Sequence, residues 1–400
     1  MSDGTRIEWT DTTWNPVRGC SRVSEGCRNC YAERFAARFS GEEEGFESGG
    51  PQGWQPTKPE GRFHGFAEMT ESGPRWTGKV ELVDHKLREP LRWRRPRRVF
   101  VNSMSDLFHE KLRDEQLDEI FARMLACEVL DSPRHSFQIL TKRPQRMRRY
   151  LTARSPSELV QAWAKAGDGR IILDNADVFF SEYVESHTSC DWREDGTAPH
   201  GTPPKPWKHL RKVWPLPNVW LGVSVEDQKS ADERVPILLD TPAAVRFVSA
   251  EPLLGPVDLE CGLAVAWQCS GCRAYFSGPL KKRCPKCDRE GYWTGSHRFN
   301  SRTRQAGSGL DWVIVGGESG PGARPCDVAW IRAIVEQCRA AGVPAFVKQL
   351  GAEPVQFAVA AERRTDSGAC TVRLRNRKGG DPAEWPEDLR VREFPEVSRP

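Results

Sequence analysis

The sequence has 400 residues, of which 38% are hydrophobic, enough for one large barrel-type domain or for two or three smaller domains. Its net charge of +4 is small against 59 basic and 55 acidic residues, so charge alone does not indicate a nucleic-acid partner. No apolar run approaches the roughly 20 residues that span a bilayer, and the first residues lack the layout of a signal peptide. We therefore expect a cytoplasmic protein with no membrane partner, in which clustered cysteines bind metal.

Short runs rich in Val, Ile and Phe predict strands that are buried on both faces. They are 99–102, 137–140, 219–225, 245–249, 312–315 and 345–347, with a further strand expected around 14–18. Helical patterns such as 115–130 and 329–341 alternate with these runs, which favours a parallel sheet. The predicted fold is α/β, a partial or complete (β/α) TIM-like barrel, with an open doubly wound sheet as the alternative.

Polar residues recur where the predicted strands end, and in both of these folds that edge carries the functional sites. A polar loop after a strand explains any one of them, but their recurrence favours a cofactor and substrate cavity. Gly316 and Gly317 form either a turn where the backbone approaches a ligand or a simple tight turn. The other candidates are Asn102, Ser103, Asp106, Thr141, Lys142, Arg143, Glu226, Glu251, Glu318, Lys348 and Gln349.

The chain is expected to consist of one barrel with additions. Residues 1–259 form its first part, with insertions at about 41–78 and 155–217, which are rich in loop-forming residues. Residues 260–308 form a zinc-ribbon insertion, 309–350 the last part of the barrel, and 351–400 an extension of short strands and turns. The basic run 92–98 is either a nucleic-acid contact or a solvated helix end.

Three cysteines near the start of the sequence, Cys20, Cys27 and Cys30, have the spacing C-x6-C-x2-C. Thiolates favour iron–sulfur clusters and zinc, and three of them leave one coordination position open. A structural zinc site needs a fourth ligand, which a distant Cys or His such as His64 or His109 would have to supply. Three unrelated buried cysteines are the remaining alternative. We expect a [4Fe–4S] cluster.

Two C-x2-C pairs, Cys269 with Cys272 and Cys284 with Cys287, predict a zinc ribbon. Each pair forms a tight knuckle, and four thiolates give a tetrahedral Zn²⁺ site that can fold a segment without a core. This metal is expected to be structural.

The segment IEWTDTTWNPVRGCSRVSEGCRNCYAE resembles the opening of a family that is found in phages and bacteria and named after phage gene products thirty-seven and sixty-eight. VGGESGPGARP, PAFVKQLG and GGDPAEWPEDLRVREFP are similar to its later motifs. The resemblance implies a barrel-like fold and a three-cysteine site like that of radical S-adenosylmethionine (SAM) proteins, of which the DNA-repairing spore photoproduct lyases are a similar case. In this sequence six residues separate the first two cysteines, whereas three separate them in the commonest radical SAM enzymes. The resemblance therefore implies cluster binding more directly than SAM binding.

The leading hypothesis is an iron–sulfur, radical SAM-like enzyme that acts on nucleic acid or a nucleotide and takes its electron from a donor protein. Cys20, Cys27 and Cys30 would bind the cluster, and the candidates at the strand ends would line the cavity. One alternative is a non-enzymatic, zinc-binding protein that binds nucleic acid. Another is an iron–sulfur redox protein that does not cleave SAM.

Overall fold

The computed structural model describes residues 4–40, 45–48, 54–57, 62–71, 73–130, 134–171, 178–189, 211–263, 265–269, 275–277, 293–298, 309–357 and 369–396. The chain divides into two compact units. The first comprises residues 1–146 and 153–218, and the second comprises 147–152 and 219–400. No helix in the described part of the chain is both long and apolar enough to cross a membrane.

The first unit contains three adjacent parallel strands, β1, β8 and β9. Thr12 lies opposite Val99, and Val99 lies opposite Phe137. The unit's other strands pair two by two. The strands of this unit are β1 (Thr12–Trp14), β2 (Val17–Arg18), β3 (Gly45–Ser48), β4 (Trp54–Thr57), β5 (Ala67–Thr70), β6 (Gly73–Trp76), β7 (Glu81–Leu82), β8 (Arg98–Val101), β9 (Ser136–Thr141), β10 (Thr188–Ser189) and β11 (Arg211–Lys212).

The strand expected around 14–18 is in fact two strands. β1 ends at Trp14, and β2 pairs in the antiparallel sense with β7. Pro16 lies between them and has no N–H to donate to a sheet, which explains why the parallel pairing stops there. Four residues therefore separate the end of β1 from Gly19, which directly precedes Cys20.

The first unit's helices pack beside these strands. α3 is buried along most of its length, and the buried residues include the charged Asp118, Arg123 and Glu128. α5 begins at a capping box, in which Ser155 and Glu158 each accept a hydrogen bond from the other's backbone N–H. The helices are α1 (Tyr31–Arg38), α2 (Glu89–Arg92), α3 (Asp114–Val129), α4 (Pro144–Thr152, which contains the boundary of the two units), α5 (Pro156–Gly167) and α6 (Phe180–His187).

The second unit contains four adjacent parallel strands in the order β12-β13-β17-β19. Every residue of β12 and β17 is buried, as expected for strands covered on both faces. Its strands are β12 (Val219–Ser224), β13 (Val245–Ala250), β14 (Val265–Cys269), β15 (Tyr275–Ser277), β16 (Trp293–Arg298), β17 (Trp312–Gly316), β18 (Cys326–Asp327), β19 (Ala345–Gln349), β20 (Pro354–Phe357) and β21 (Ala369–Thr371). Its helices are α7 (Gln228–Leu239), α8 (Glu260–Leu263) and α9 (Val328–Ala341).

Tryptophans lie in the core of both units. In the first unit, Trp14 is fully buried, and its ring centroid is 5.7 Å from that of Phe137. In the second unit, Trp312 is also fully buried and packs against Trp220 and Phe247. The strands around them thus contribute apolar side chains at the positions that the sequence predicts.

The mixed α/β class and the parallel strands are confirmed. The described residues contain seven such strands flanked by helices, three in one unit and four in the other; six lie where the apolar runs predict them, and β1 overlaps the strand expected around 14–18 only at Trp14. Closure into a TIM-like barrel stays a prediction. The backbone of Cys269 ends β14, which lies between β15 and β16 in a small antiparallel sheet, whereas Cys272, Cys284 and Cys287 lie outside the described residues.

Candidate functional site

The three N-terminal cysteines lie on one loop between β2 and α1. Cys20 follows β2 closely, Cys27 ends a single 3₁₀ turn, and Cys30 directly precedes the first residue of α1. All three are free thiols, and each residue is partly exposed. We call residues 19–30 the cysteine loop. It presents three soft ligands to its surroundings.

Gly19 fixes where the cysteine loop begins. Its φ of +87° is a conformation that favours glycine, and a Cβ at this position would stand 2.0 Å from the backbone oxygen of Lys79. The same Cβ would stand 2.8 Å from a ring carbon of Phe66. A larger residue cannot occupy this position without moving Cys20.

A buried ion pair ties the cysteine loop to α1. Glu33, in the first turn of that helix, is 1% exposed and accepts hydrogen bonds from the Arg22 Nε at 3.0 and 2.9 Å. The Trp76 backbone N–H also donates to this carboxylate, at 2.8 Å. Arg22 donates in addition to the backbone oxygen of Arg28 at 3.0 Å. The segment between Cys20 and Cys30 is therefore held from within.

Arg143 connects the cysteine loop to the carboxyl ends of β8 and β9. Its guanidinium donates to Asp106 at 3.0 Å, to Glu110 at 3.0 Å and to the backbone oxygen of Ser21 at 3.0 Å. One of its nitrogens also lies 4.0 Å from the Cys20 sulfur. Because Arg143 and Asp106 are both buried, this network places a buried ion pair beside the thiol.

Asp106 brings together three of the sequence-predicted candidates. Its carboxylate accepts hydrogen bonds from the Thr141 hydroxyl at 2.7 Å and from the Lys142 backbone N–H at 3.1 Å. The backbone N–H of Phe108 is a further donor, at 3.0 Å. Asp106, Thr141 and Lys142 therefore lie together at the strand ends, as expected from the parallel pairing of β8 and β9.

The environment of Cys20 opposes its ionisation in the absence of a metal. Burial, and then the charge of Asp106, raise the pKa of this thiol to about 12, although Arg143 acts in the opposite direction. Burial also raises the pKa of the Cys30 thiol. Burial alone would lower the pKa of Arg143, but Asp106, Cys20 and Glu110 outweigh it and hold that pKa above its ordinary value. A bound cation would supply the positive charge that both thiolates need.

His109, considered above as a fourth ligand, has both ring nitrogens engaged. Its Nδ1 accepts the Lys111 backbone N–H at 3.2 Å, so the neutral ring carries its proton on Nε2, which lies 2.9 Å from the Ser21 hydroxyl. Burial, and then Arg143, lower the pKa of His109 and favour this neutral form. In this arrangement His109 supports the cysteine loop through Ser21.

Ser103 lies beside the start of α1. Its hydroxyl donates to the Asn15 side-chain oxygen at 3.2 Å, and its backbone oxygen accepts from the Tyr31 hydroxyl. Asn102, just before it, is buried in a left-handed conformation at φ 58°, and its side-chain oxygen accepts the Val17 backbone N–H at 3.3 Å. Both residues thus shape the turn after β8.

In the second unit, two predicted carboxylates form ion pairs with nearby arginines. Glu226 is 1% exposed and accepts from Arg234 of α7 at 3.0 and 3.2 Å. Glu318 is 6% exposed and accepts from the Arg324 side chain at 2.9 and 2.6 Å. Each carboxylate therefore has a cation of its own on the same stretch of chain.

Glu251 and Lys348 form a more accessible pair at the ends of β13 and β19. The Lys348 ammonium donates to Glu251 at 2.6 Å, and the Gln349 amide donates to the same oxygen at 3.2 Å. The two charged side chains are 17% and 20% exposed. The structure brings these candidates together, and solvent can still reach them.

The Gly-rich turn after β17 packs tightly against its own unit. A Cβ on Gly317 would stand 2.4 Å from the Leu350 backbone oxygen, and one on Gly316 would stand 3.1 Å from that of Gln349. Close approach of the chain after β19 is thus a sufficient reason for Gly317. A ligand at this turn stays a prediction.

The donor set at the cysteine loop fits an iron–sulfur cluster by its chemistry. Among the described residues, no group of three or more His, Cys, Asp or Glu side chains is placed to hold a single metal ion. A cluster makes a different demand, because each cysteine binds its own iron and the thiolates need not converge on one point. The three thiols are nevertheless close enough that Cys27 and Cys30 influence the ionisation of Cys20.

Sequence reasoning missed the residues that hold the loop in place. Ser21 and Arg22 lie inside the cysteine loop and Glu33 lies just after it in α1; none of these was singled out, and His109 was considered only as a ligand. The signal that could have found them is the presence of charged residues within a motif that precedes a helix. Their partners come from distant segments, however, and spacing does not reveal these.

Comparison with known proteins gives one match. A family model described as "Protein of unknown function (DUF5131)" matches residues 4–378. Neither the curated proteins nor the solved structures contain a match.

Proposed function

Since the chain belongs to the DUF5131 family, whose description names no activity, we propose from its own residues that it is an iron–sulfur, radical SAM-like enzyme. Cys20, Cys27 and Cys30 would hold a [4Fe–4S] cluster. When bound, such a cluster supplies the electron that cleaves SAM, and an electron donor would have to restore it. Its substrate would be a nucleic acid or a nucleotide, as the resemblance to the phage family suggests.

One observation carries this proposal: the cysteine loop holds three free thiols and is itself held by buried charges. Arg143, which pairs with Asp106, bonds to Ser21, and Arg22 pairs with Glu33, so both ion pairs restrain the loop directly after Cys20. A loop without a ligand to position has little need of two ion pairs whose carboxylates are buried, because burying a carboxylate is costly. Arg143 also places positive charge beside Cys20, which offsets part of the effect that burial and Asp106 have on this thiol.

The candidates for binding SAM or substrate differ in how easily they can exchange their present contacts for contacts with a ligand. Asp106 and Thr141 bond to each other, so they would act mainly by shaping the cavity. Glu251 and Lys348 are partly exposed and can exchange their mutual contact for a ligand's amino or carboxylate group. Ser103, Lys142, Glu226, Gly316, Gly317 and Glu318 complete the proposed set. A TIM-like closure of the strands and a structural Zn²⁺ on Cys269, Cys272, Cys284 and Cys287 belong to the same proposal.

Metal analysis tests the proposal directly. After anaerobic reconstitution, we expect about four iron and four sulfide per chain, and an electron paramagnetic resonance signal after reduction. The Cys20→Ser, Cys27→Ser and Cys30→Ser triple variant should lose both. The buried Cys338→Ala variant, changed in α9, is the matched control and should keep them.

Further readouts separate the alternatives. Substitution of the four ribbon cysteines by Ser should remove zinc and leave iron. Formation of 5′-deoxyadenosine from SAM would establish that the protein is an enzyme that cleaves SAM. Zinc alone at the cysteine loop would refute the iron–sulfur proposal, and a stable cluster that never consumes SAM would reduce it to a redox protein.

A further inference from the structure

A cavity of about 200 Å³ lies in the first unit beside the end of β1 and the exposed side of α1. Arg18 of β2 and Arg62 line it, together with Asn15, Phe35, Phe63 and Lys86. The function proposed above uses none of these side chains. The lining therefore needs an explanation of its own.

The two arginines bring like charges together. Arg18 lies over the rings of Phe63 and Phe66, 5.5 and 5.6 Å from their centroids. Burial, and then the neighbouring charge of Arg62, lower the pKa of Arg18, and Glu81 opposes them only as a smaller influence. Within the described residues, no carboxylate accepts a hydrogen bond from either guanidinium. Two such groups are mutually repulsive until an anion lies between them.

The remaining charges of the lining do not cancel this excess. Lys86 donates to Glu89 at 2.5 Å, which makes a neutral pair at the cavity wall. Glu81 bonds to Lys79 at 3.0 Å. The cavity thus keeps two positive charges, and both belong to side chains that bind phosphate in a forked geometry.

An exposed aromatic ring borders the same cavity. Phe35 of α1 is 45% exposed, although its ring contacts Phe63 edge-on at 6.1 Å and Phe39 at 4.7 Å. A phenyl ring left in water beside two guanidinium groups is a typical surface for a nucleic-acid base, because stacking on the ring complements the contact with phosphate.

We propose that this cavity binds one nucleotide unit, with its phosphate between Arg18 and Arg62 and its base against Phe35. A volume of about 200 Å³ is below the roughly 300–1,000 Å³ of sites that enclose a whole ligand, so the base lies at the open side. The inference deepens the nucleic-acid part of the proposed function and rests on it for biological meaning. Its physical basis is independent of the cluster.

Fluorescence anisotropy with a short labelled oligothymidylate, and competition by thymidine monophosphate, test the proposal on the full chain. Arg62 is exposed, so Arg62→Gln should fold normally and weaken binding about 5- to 10-fold at low salt. The slope of log affinity against log salt should fall by about 0.7, as expected for one lost phosphate contact. Phe35→Ala should weaken binding about 5-fold or more, whereas Phe35→Trp should retain it.

Arg95→Gln is the matched control, because Arg95 is also exposed but belongs to the separate basic run 92–98. If it weakens binding as much as Arg62→Gln, the effect is general surface charge and the proposal is wrong. Competition by inorganic phosphate without any effect of Phe35→Ala would likewise overturn it. Binding of the oligonucleotide alone, or of the mononucleotide as well, supports it and decides between a strand and a free nucleotide.

The same measurement on the triple serine variant of the cysteine loop keeps the two proposals apart. Nucleotide binding by the reconstituted wild-type chain without iron incorporation would refute the iron–sulfur function and leave this inference standing. Iron incorporation by that chain without nucleotide binding would refute this inference and leave the iron–sulfur function standing.

Discussion

Both units place polar side chains at the carboxyl ends of parallel strands, but they use them differently. In the first unit, Arg143 joins Asp106, Ser21 and the surroundings of Cys20 in one network. In the second unit, each predicted carboxylate has a cation of its own. The pairs are Glu226 with Arg234, Glu318 with Arg324, and Glu251 with Lys348.

The difference shows that position at a strand end is not sufficient evidence for a functional role. Self-contained ion pairs stabilise a loop or a helix start, and they leave little charge for a ligand. A network that converges on a reactive group instead fixes the position and charge of that group. The cysteine loop is therefore the stronger candidate site, and the Glu251–Lys348 pair is the most accessible of the three in the second unit.

Removing one arginine from each unit gives the largest expected effect. Arg143→Ala removes the cation that pairs with the buried Asp106, and Arg234→Ala removes the cation that pairs with the buried Glu226. Each variant should lose about 3–5 kcal/mol of unfolding free energy in urea denaturation. Only Arg143→Ala should also lower iron incorporation, because only Arg143 contacts the cysteine loop.

Arg143→Lys separates charge from geometry in this experiment. A lysine keeps the positive charge but cannot make the forked contacts to Asp106 and Ser21, so we expect part of the stability loss and part of the iron loss. Equal loss of iron in Arg143→Ala and Arg234→Ala would show that the comparison of the two units is wrong.

Substitution of one glycine in each unit tests the comparison of the two units at the level of the backbone. Gly19→Ala forces a Cβ to 2.0 Å from the Lys79 oxygen at a positive φ, and Gly317→Ala forces one to 2.4 Å from the Leu350 oxygen. We expect each to destabilise its unit by about 2–3 kcal/mol. Gly255→Ala is the control, since its Cβ would meet nothing within 4 Å.

Iron content again distinguishes the two glycine variants. Gly19→Ala should lower it, because Cys20 is the next residue, and Gly317→Ala should leave it unchanged. If Gly19→Ala takes up iron normally, the cysteine loop does not need the backbone position described above.

The parts of the structure that could be predicted are those that local pattern decides. The apolar runs locate six of the seven parallel strands because a strand buried on both faces must be apolar throughout, whereas the seventh, β1, has the sequence TTW and lies earlier than expected. The spacing of the cysteines is also a local pattern, and it locates the cysteine loop. Arg143 and Glu33 could not be assigned a partner, because their contacts join segments far apart in sequence. The contact of Lys79 with Gly19, and the local pairing of Glu318 with Arg324 six residues on, depend on turns that no periodicity specifies.

The two units should differ in their sensitivity to acid, and this is the smallest of the three effects that we expect. Seven of the eight histidines lie in the first unit, and His297 lies in the second. His135 is 1% exposed and bonds through Nε2 to the Pro90 oxygen at 3.1 Å, and its Nδ1 has no partner among the described residues. Burial, the largest influence, lowers its pKa.

The sign follows from proton linkage. The unfolded chain protonates His135 near its ordinary pKa of about 6.5, whereas the folded protein does so only at lower pH, so stability is lost as the pH falls below that value. Between about pH 7 and pH 5, each histidine of this kind should lower the stability of the first unit by no more than about 2 kcal/mol, the limit for one proton, and His109 is a second one. Urea denaturation monitored by hydrogen exchange measures each unit separately. His135→Gln should reduce the slope, and an equal acid loss in the second unit would contradict the account, because carboxylates whose pKa is lowered by ion pairing titrate below this range.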